Sequence, residues 1–331
     1  MLIFAARRLL GAALTLLGVL LFTHIIFFQL SADPAVIICG QTCTPERIES
    51  IREVLGLDRG FWVQFGTFVS GLFVGSTYGE GATAVHCAAP CLGYSFQSNQ
   101  DVTTMIVERL PVTLTLGIGA GILWLSYGVL SGLISAYRKG TWVDHSFNAV
   151  ALAGIALPNY FVALILQYVL VVKLQVLPFP TTVAFRDDPG LWFDSYLMPW
   201  VVLALMYAAM YTRITRANVL DTLSENYMRT ARAKGLAPRT VLLRHALRPS
   251  LTPVLTLYGM DLAALLGGAL ITETVFGLNG VGKLARDAIT DNDQPVIMGV
   301  TLLAAFIVIV ANIVVDMLYA ALDPRIRTRA S

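Results

Sequence analysis

The sequence predicts an all-α polytopic membrane protein with six transmembrane helices. Three observations carry this expectation. Of the 331 residues, 56% are hydrophobic and only 13% are charged, against about 25% charged in an average soluble domain. Mean hydropathy is +0.70. Six stretches approach or exceed the roughly 20 apolar residues needed to cross ~30 Å of hydrocarbon. So few charges cannot coat a soluble surface. An ordinary soluble enzyme, a disordered chain and a long coiled coil are therefore excluded. The formal net charge of +2 gives no global basic field for nucleic acid.

The stretches come in order. Leu9–Leu30 contains no Asp, Glu, Lys or Arg and follows Arg7-Arg8. A signal peptide has an apolar run of about 7–15 residues and a small-residue cleavage site; this run is longer and lacks that site, so it is expected to remain as a span. Leu110–Ala136 and Ser146–Val172 are likewise free of acids and bases. In the latter, Pro158 is placed to kink the helix, with Asn159 beside it to satisfy freed backbone groups. Ser195–Thr212 is the shortest. Pro249–Thr272 is interrupted only by Asp261, and Gln294–Leu322 only by Asp316. Gly259, Gly267 and Gly268 allow close helix packing in the fifth stretch.

Orientation follows from the bases, which concentrate in cytoplasmic segments. With both termini inside, 15 of the 23 bases lie inside and 15 of the 21 acids lie outside. The reverse arrangement would put most bases outside. A charge within a span is costly to desolvate, which makes it a functional candidate by default. For Asp261, a pathway role and a paired structural role both stand. Asp316, near the cytoplasmic end, reads as structural.

The outer segment 31–109 is too long for a tight connection and is expected to form a helical cap. Thr44-Pro45-Glu46 has the chemistry of a helix start. Ile48, Ile51, Val54 and Leu55 give that helix an apolar face. Phe61–Phe73 is apolar and aromatic and reads as an interfacial or packed helix. All four cysteines lie here, as Cys39-x-x-x-Cys43 and Cys87-x-x-x-Cys91. Thiols outside a bacterial membrane oxidise, so structural disulfides are expected. Four cysteines allow three pairings, and the spacing chooses none. A metal site with His86 is the alternative, although zinc motifs are more tightly spaced.

A near match to a phosphate loop, Gly277-Leu-Asn-Gly-Val-Gly282-Lys283-Leu284, lacks the terminal hydroxyl and any preceding strand. Glycine-permitted turns between helices explain it better.

Arg213–Arg248 holds eight bases on the inner side. Leu220, Leu223, Tyr227 and Ala231 are spaced as an apolar helical stripe. Gly235 can end that helix in a left-handed conformation, and Pro238 suits the first turn of the next. The segment therefore predicts helix, glycine turn, helix beneath the membrane. A basic anchor obeying the positive-inside rule is the plainer alternative.

Within it, Glu225-Asn-Tyr227-Met-Arg229-Thr230-Ala231-Arg232-Ala233-Lys234-Gly235-Leu236 resembles the cytoplasmic "EAA" loop of ABC importer permeases. His245-Ala-Leu247-Arg248…Pro253 is similar to the version in dipeptide, oligopeptide and nickel importers. Leu55-Gly56-Leu57-Asp58, Leu110-Pro111-Val112-Thr113-Leu114, Glu273-Thr-Val275-Phe276…Gly280-Val-Gly282 and Asp316-Met-Leu-Tyr319…Asp323-Pro324-Arg325 extend the resemblance over the whole chain. Three departures stand out. Arg229-Thr230-Ala231 replaces the E-A-A letters. Pro249 stands where this branch often has Asn. Residues 76–92 look like an insertion, and it contains Cys87 and Cys91.

The resemblance implies the type I ABC importer permease fold, first of two membrane subunits. It divides the chain into a cytoplasmic N-terminus with span one (1–30), an extracytoplasmic cap (31–109) and a permease domain (110–331) with coupling loop 213–248. It implies a translocation pathway for di- or oligopeptides, with nickel or another small solute as the alternative. An autonomous channel or secondary transporter would leave the cytoplasmic helix unexplained. An intramembrane protease would need a nucleophile–base pair or an H-E-x-x-H motif, and the spans show neither. The implied partners are a second homologous permease, two ATPase subunits, an extracytoplasmic solute-binding protein and the bilayer. This chain would be a transport subunit and not an enzyme. It would bind no cofactor, with ATP and Mg on the ATPase partners. Tyr227, Arg229, Thr230, Ala231, Arg232, Ala233, Lys234, Gly235 and Leu236 would couple to an ATPase, and Asp261 and Asn159 are the pathway candidates.

Overall fold

A computed structural model describes residues 2–26, 35–36, 44–56, 58–78 and 84–322. The elements are α1 (Leu2–Ile25), α2 (Pro45–Leu55), α3 (Phe61–Val74), β1 (Ser76–Tyr78), β2 (Val85–Cys87), β3 (Tyr94–Ser95) and β4 (Gln100–Asp101). They continue with α4 (Val102–Tyr137), α5 (Trp142–Ala156), α6 (Asn159–Gln167), α7 (Pro189–Ser224) and α8 (Asn226–Ala233). The last are α9 (Pro238–Leu266), α10 (Leu270–Phe276), α11 (Val281–Asp291) and α12 (Gln294–Leu322). Single turns of wider helix follow α6 at Tyr168–Lys173 and lie inside α9 at Val241–Ala246.

Among the described residues, four helices are long and apolar enough to cross a membrane. These are α4, α7, α9 and the Gln294–Val315 part of α12. The third expected stretch forms a bent pair. Residues Trp142–Ala156 and Asn159–Lys173 meet at 98°, because Pro158 cannot continue the hydrogen-bond ladder. As far as Ile25 the first stretch lies in α1, whose apolar portion is Leu10–Ile25. The fifth stretch ends earlier than expected. Helix α9 stops at Leu266, and a Gly267-Gly268-Ala269 break precedes α10.

The chain divides into two compact units. The first comprises Met1–Thr113, Leu266–Leu270 and Asn279–Ser331. Its core joins Val102, Met105 and Ile106 of α4 to Val281, Leu284 and Ala288 of α11 and to Val296 and Val300 of α12. The 3- and 4-residue spacing puts each set on one helix face. The glycine-rich near match has a packing explanation here. A Cβ on Gly282 would fall 2.6 Å from the Leu270 backbone nitrogen, and Gly268, at φ +136°, lies against the Gly282 backbone. Helix α11 and the break therefore touch backbone to backbone. Lys283 donates to Asn279 at 2.9 Å.

In the same unit β1 pairs with β2 and β3 with β4, both antiparallel. Ser95 of β3 donates to Asp293, just before α12, from a buried position. Burial holds the Asp293 carboxyl above the ordinary carboxylate range, and the Ser95 hydroxyl partly offsets it. Thr44 occupies the position before α2, as expected, but its side chain makes no capping hydrogen bond.

The second unit comprises Leu114–Leu265 and Ile271–Leu278. Helix α4 accepts its neighbours at small residues. A Cβ on Gly119 would lie 2.2 Å from the Trp200 ring, one on Gly128 2.5 Å from Tyr211 Cβ, and one on Gly132 2.6 Å from the Thr212 carbonyl. Helix α7 therefore packs close to α4 along three turns, the usual role of small residues between membrane helices. Trp200 also donates its ring N–H to the Thr115 carbonyl at 3.0 Å.

Candidate functional site

The connection from α7 through α8 to α9 is the most exposed assembly of sequence-predicted residues. Its local structure follows from three residues. Glu225 adopts an extended conformation (φ −65°, ψ 149°) and ends α7. Gly235 takes φ +74° and closes α8, with its amide on the Arg232 carbonyl at 3.0 Å. Pro238 occupies the first turn of α9. A left-handed residue costs an L-amino acid about 1–2 kcal/mol, and glycine avoids that cost.

The break at Glu225 corrects one expectation. Leu220, Leu223, Tyr227 and Ala231 do not form a stripe on one helix. Leu220 and Leu223 close α7, while α8 turns and buries Met228 instead. Met228 is 0% exposed and Tyr227 48% exposed. Met228 packs with Val241 and Ala246 of α9, flanked by Leu223, Ala231 and Leu242. The sequence missed Met228 because the periodic reading ran through a helix end.

Anchored on that side, α8 shows its other face to solvent. Arg229, Thr230, Arg232, Ala233, Lys234, Gly235 and Leu236 are exposed, and Ala231 is half-buried. Among the described residues no ion pair engages Arg229, Arg232 or Lys234. A Cβ on Gly235 would have no neighbour within 4 Å.

The helices leading into and out of α8 are braced. Ser250 of α9 donates to the Asn218 carbonyl at 3.1 Å, and its hydroxyl lies 2.9 Å from that of Thr222. Further along α7, Arg216 is not a free surface base. Its guanidinium donates to both Asp144 carboxylate oxygens, each at 2.7 Å. Asp144 also accepts from Ser135 at 2.5 Å, the Gly140 amide at 3.0 Å and Asn148 at 2.8 Å. This network ties α4, α5 and α7 just ahead of the α8 turn. Nothing in the sequence pairs these two residues, because they stand 72 positions apart.

The pathway candidates lie apart in their bonding. Asp261 of α9 accepts from the Tyr211 hydroxyl of α7 at 2.7 Å. Asn159 begins α6 after the bend and is half-buried. It was expected to satisfy the backbone groups freed at Pro158. Instead the Pro158 carbonyl accepts from the amides of Phe161 and Val162, and the Asn159 side chain makes no hydrogen bond among the described residues. The Asp316 side chain lies outside the described set.

Cys87 and Cys91 form a disulfide next to the β1–β2 hairpin. His86 faces the Thr77 hydroxyl at 3.2 Å. Among the described residues no group of three His, Cys, Asp or Glu side chains could hold a metal. Cys39 and Cys43 lie outside the described residues.

Residues 128–328 match the binding-protein-dependent transport system inner membrane component, and residues 1–117 match the N-terminal component of the same systems. The chain belongs to this family. A putative peptide transport system permease protein of Brucella abortus is 35% identical to this permease over 321 residues, covering 97% of this chain and 98% of the relative. A dipeptide transport system permease protein of Alkalihalophilus pseudofirmus is 33% identical over 352 residues, covering 99% and 100%. A glutathione transport system permease protein of Escherichia coli is 35% identical over 327 residues, covering 99% of each chain. The inward-facing MetNI methionine ABC transporter shares the fold of the permease, with TM-score 0.50 and 15% identity, over 67% of this chain and 97% of that one. The permease is thus a multi-pass, mostly helical inner membrane protein of the ABC importer class, a transport subunit.

Proposed function

We propose that this chain is one of two homologous permease subunits of an ATP-driven importer for di- or oligopeptides. It receives substrate from a solute-binding protein and couples to ATPase subunits through α8. The observation that carries the coupling role is the two-sided build of α8. Met228 fixes one face into the permease, while Arg229, Arg232 and Lys234 stand outward with no ion pair among the described residues. Unpaired bases beside small residues suit a cleft with acidic walls, where charge complementarity gives specificity. Closure of the ATPase pair on ATP would then move α8 as a lever. The braces at Ser250 and at Asp144–Arg216 would pass that motion to α4, α5, α7 and α9. ATP and Mg act on the partner chains.

In this reading the chain spans the membrane six times, with α1 and the bent α5–α6 pair completing the set. Both termini lie inside, and 31–109 forms an outer cap in which cysteines are oxidised. The placement of 15 of 23 bases inside supports it. Peptide is favoured over nickel by the names of the relatives.

The test is assembly followed by transport. Co-expressed with a second permease and two ATPase chains, the subunit should co-purify as one complex. With its binding protein, that complex should take up peptides at the expense of ATP in proteoliposomes. A functional homomer without ATPases would refute the proposal.

A further inference from the structure

Three helices of the second unit converge on Asp261. Helix α4 contributes Gly121, Trp124 and Gly128, spaced 3 and 4 residues apart on one face. The glycines are required there. A Cβ on Gly121 would lie 2.8 Å from the Tyr258 hydroxyl, and one on Gly128 2.5 Å from Tyr211 Cβ. Their absence lets both tyrosines flank the Trp124 ring. Tyr207 stacks on that ring at 4.6 Å, Tyr258 meets it edge-on at 5.6 Å, and Tyr211 tilts against it at 6.4 Å. Trp124 and Tyr211 are buried, whereas Tyr207, Tyr258 and Asp261 are half-buried at the edge of the cluster.

The carboxylate of Asp261 sits in this aromatic surround and receives one hydrogen bond, from Tyr211 to Oδ2. Among the described residues no cation pairs with it. Asp261 lies in the last turns of α9, which ends at Leu266, and an acidic side chain within an apolar helix calls for a partner group or water. A single phenol does not replace a hydration shell. Aromatic faces carry negative potential and attract ammonium groups. A half-buried acid held by one tyrosine, beside a cluster of tyrosines and a tryptophan, therefore has the chemistry of a primary-ammonium receptor.

We infer that Asp261, with the half-buried Tyr207 and Tyr258 that pack on Trp124, forms a subsite that takes a primary ammonium group of the transported molecule. This rests on the importer reading and deepens it. A free peptide N-terminus and a lysine side chain offer the same group. Tyr211 is a positioning residue, since its hydroxyl holds the carboxylate through Oδ2.

The test uses the purified complex of permeases and ATPases in detergent, without the binding protein, so that selectivity upstream does not intrude. Fluorescently C-labelled trialanine, its N-acetylated form, and an N-acetylated peptide containing one lysine are the probes. In the wild type, the free-amine probe should bind at least about tenfold more tightly than its acetylated form. Asp261→Asn should abolish that difference, and Asp261→Glu should retain part of it. Recovery of binding by the acetylated lysine peptide would assign the subsite to any primary ammonium; failure of that probe would assign it to the N-terminus. Tyr211→Phe should weaken the free-amine probe less than Asp261→Asn does. Two results would overturn the subsite. One is an Asp261→Asn complex that retains the full free-amine preference. The other is equal weakening of all probes by Asp261→Asn and Tyr211→Phe with a matching fall in thermal stability, which would make the pair a helix clamp. Either could occur in a complex that still imports peptide with ATP, and the importer reading would then stand. If the wild type showed no uptake at all, that reading would fail independently of the probes.

Discussion

Replacing Gly235 with aspartate separates a role in folding from a role in coupling. The backbone at Gly235 has φ +74°, which favours glycine. Asparagine and aspartate tolerate this region better than other side chains, so the conformational cost of either is about 1 kcal/mol. No atom lies within 4 Å of a Cβ placed there, so no clash adds to it. Gly235→Asp and Gly235→Asn should therefore fold with nearly equal, small losses of thermal stability. Their effects on transport should differ. Both add bulk to the exposed end of α8, but only aspartate brings negative charge toward a partner surface expected to be acidic. Like charges facing each other across an interface cost several kcal/mol, and every 1.4 kcal/mol is about tenfold in affinity. Uptake by the reconstituted transporter should fall at least about tenfold for Gly235→Asp and less for Gly235→Asn. ATP hydrolysis in the aspartate variant should no longer respond to substrate-loaded binding protein. Normal uptake by Gly235→Asp at normal expression would refute the coupling role. Equal losses in both variants, matched by equal falls in Tm, would refute the charge argument.

Three further outcomes follow from the packing. Met228→Ala removes the buried anchor of α8, and large-to-small changes of this kind cost about 2–5 kcal/mol. Local hydrogen exchange in α8 should rise, and assembly with the ATPases should weaken even though no exposed α8 residue has changed. Asp144→Ala strands the Arg216 guanidinium, which is 25% exposed. Breaking a buried pair costs about 3–5 kcal/mol, and the partial exposure of Arg216 places the expected loss near the lower end; Asp144→Leu with Arg216→Met should recover much of it in thermal unfolding. Asp293 is held above the ordinary carboxylate range by burial. An acid with a raised folded pKa contributes stability that is present below its unfolded pKa and lost as pH rises through the folded value. Asp293→Asn should flatten that pH dependence, whereas Ser95→Ala should move the loss to higher pH; a wild-type stability curve that does not fall over this window would contradict the assignment.

The sequence alone determined the class of molecule and the place of the exposed turn between α7 and α9. Apolar runs bounded by sided charges are local signals, since lipid requires each span to satisfy its own backbone bonds. Gly235 and Pro238 likewise act on their own backbone, and both stand where the sequence put them. The bend at Pro158 was legible for the same reason. What only the tertiary structure decided are partnerships between distant residues. The pairing of Asp144 with Arg216 spans 72 residues, and that of Tyr211 with Asp261 spans 50. Neither has a periodic trace, because side chains meet through helix packing and not through spacing along one helix. The same limit explains the exchange of Tyr227 for Met228. Helical periodicity predicts a buried face only while the helix continues, and the extended backbone at Glu225 reset the phase. The glycines of α4 show the boundary between the two kinds of information. Their spacing is written in the sequence, but the tyrosines and tryptophan that need their missing side chains lie on other helices, and only the fold brings them together.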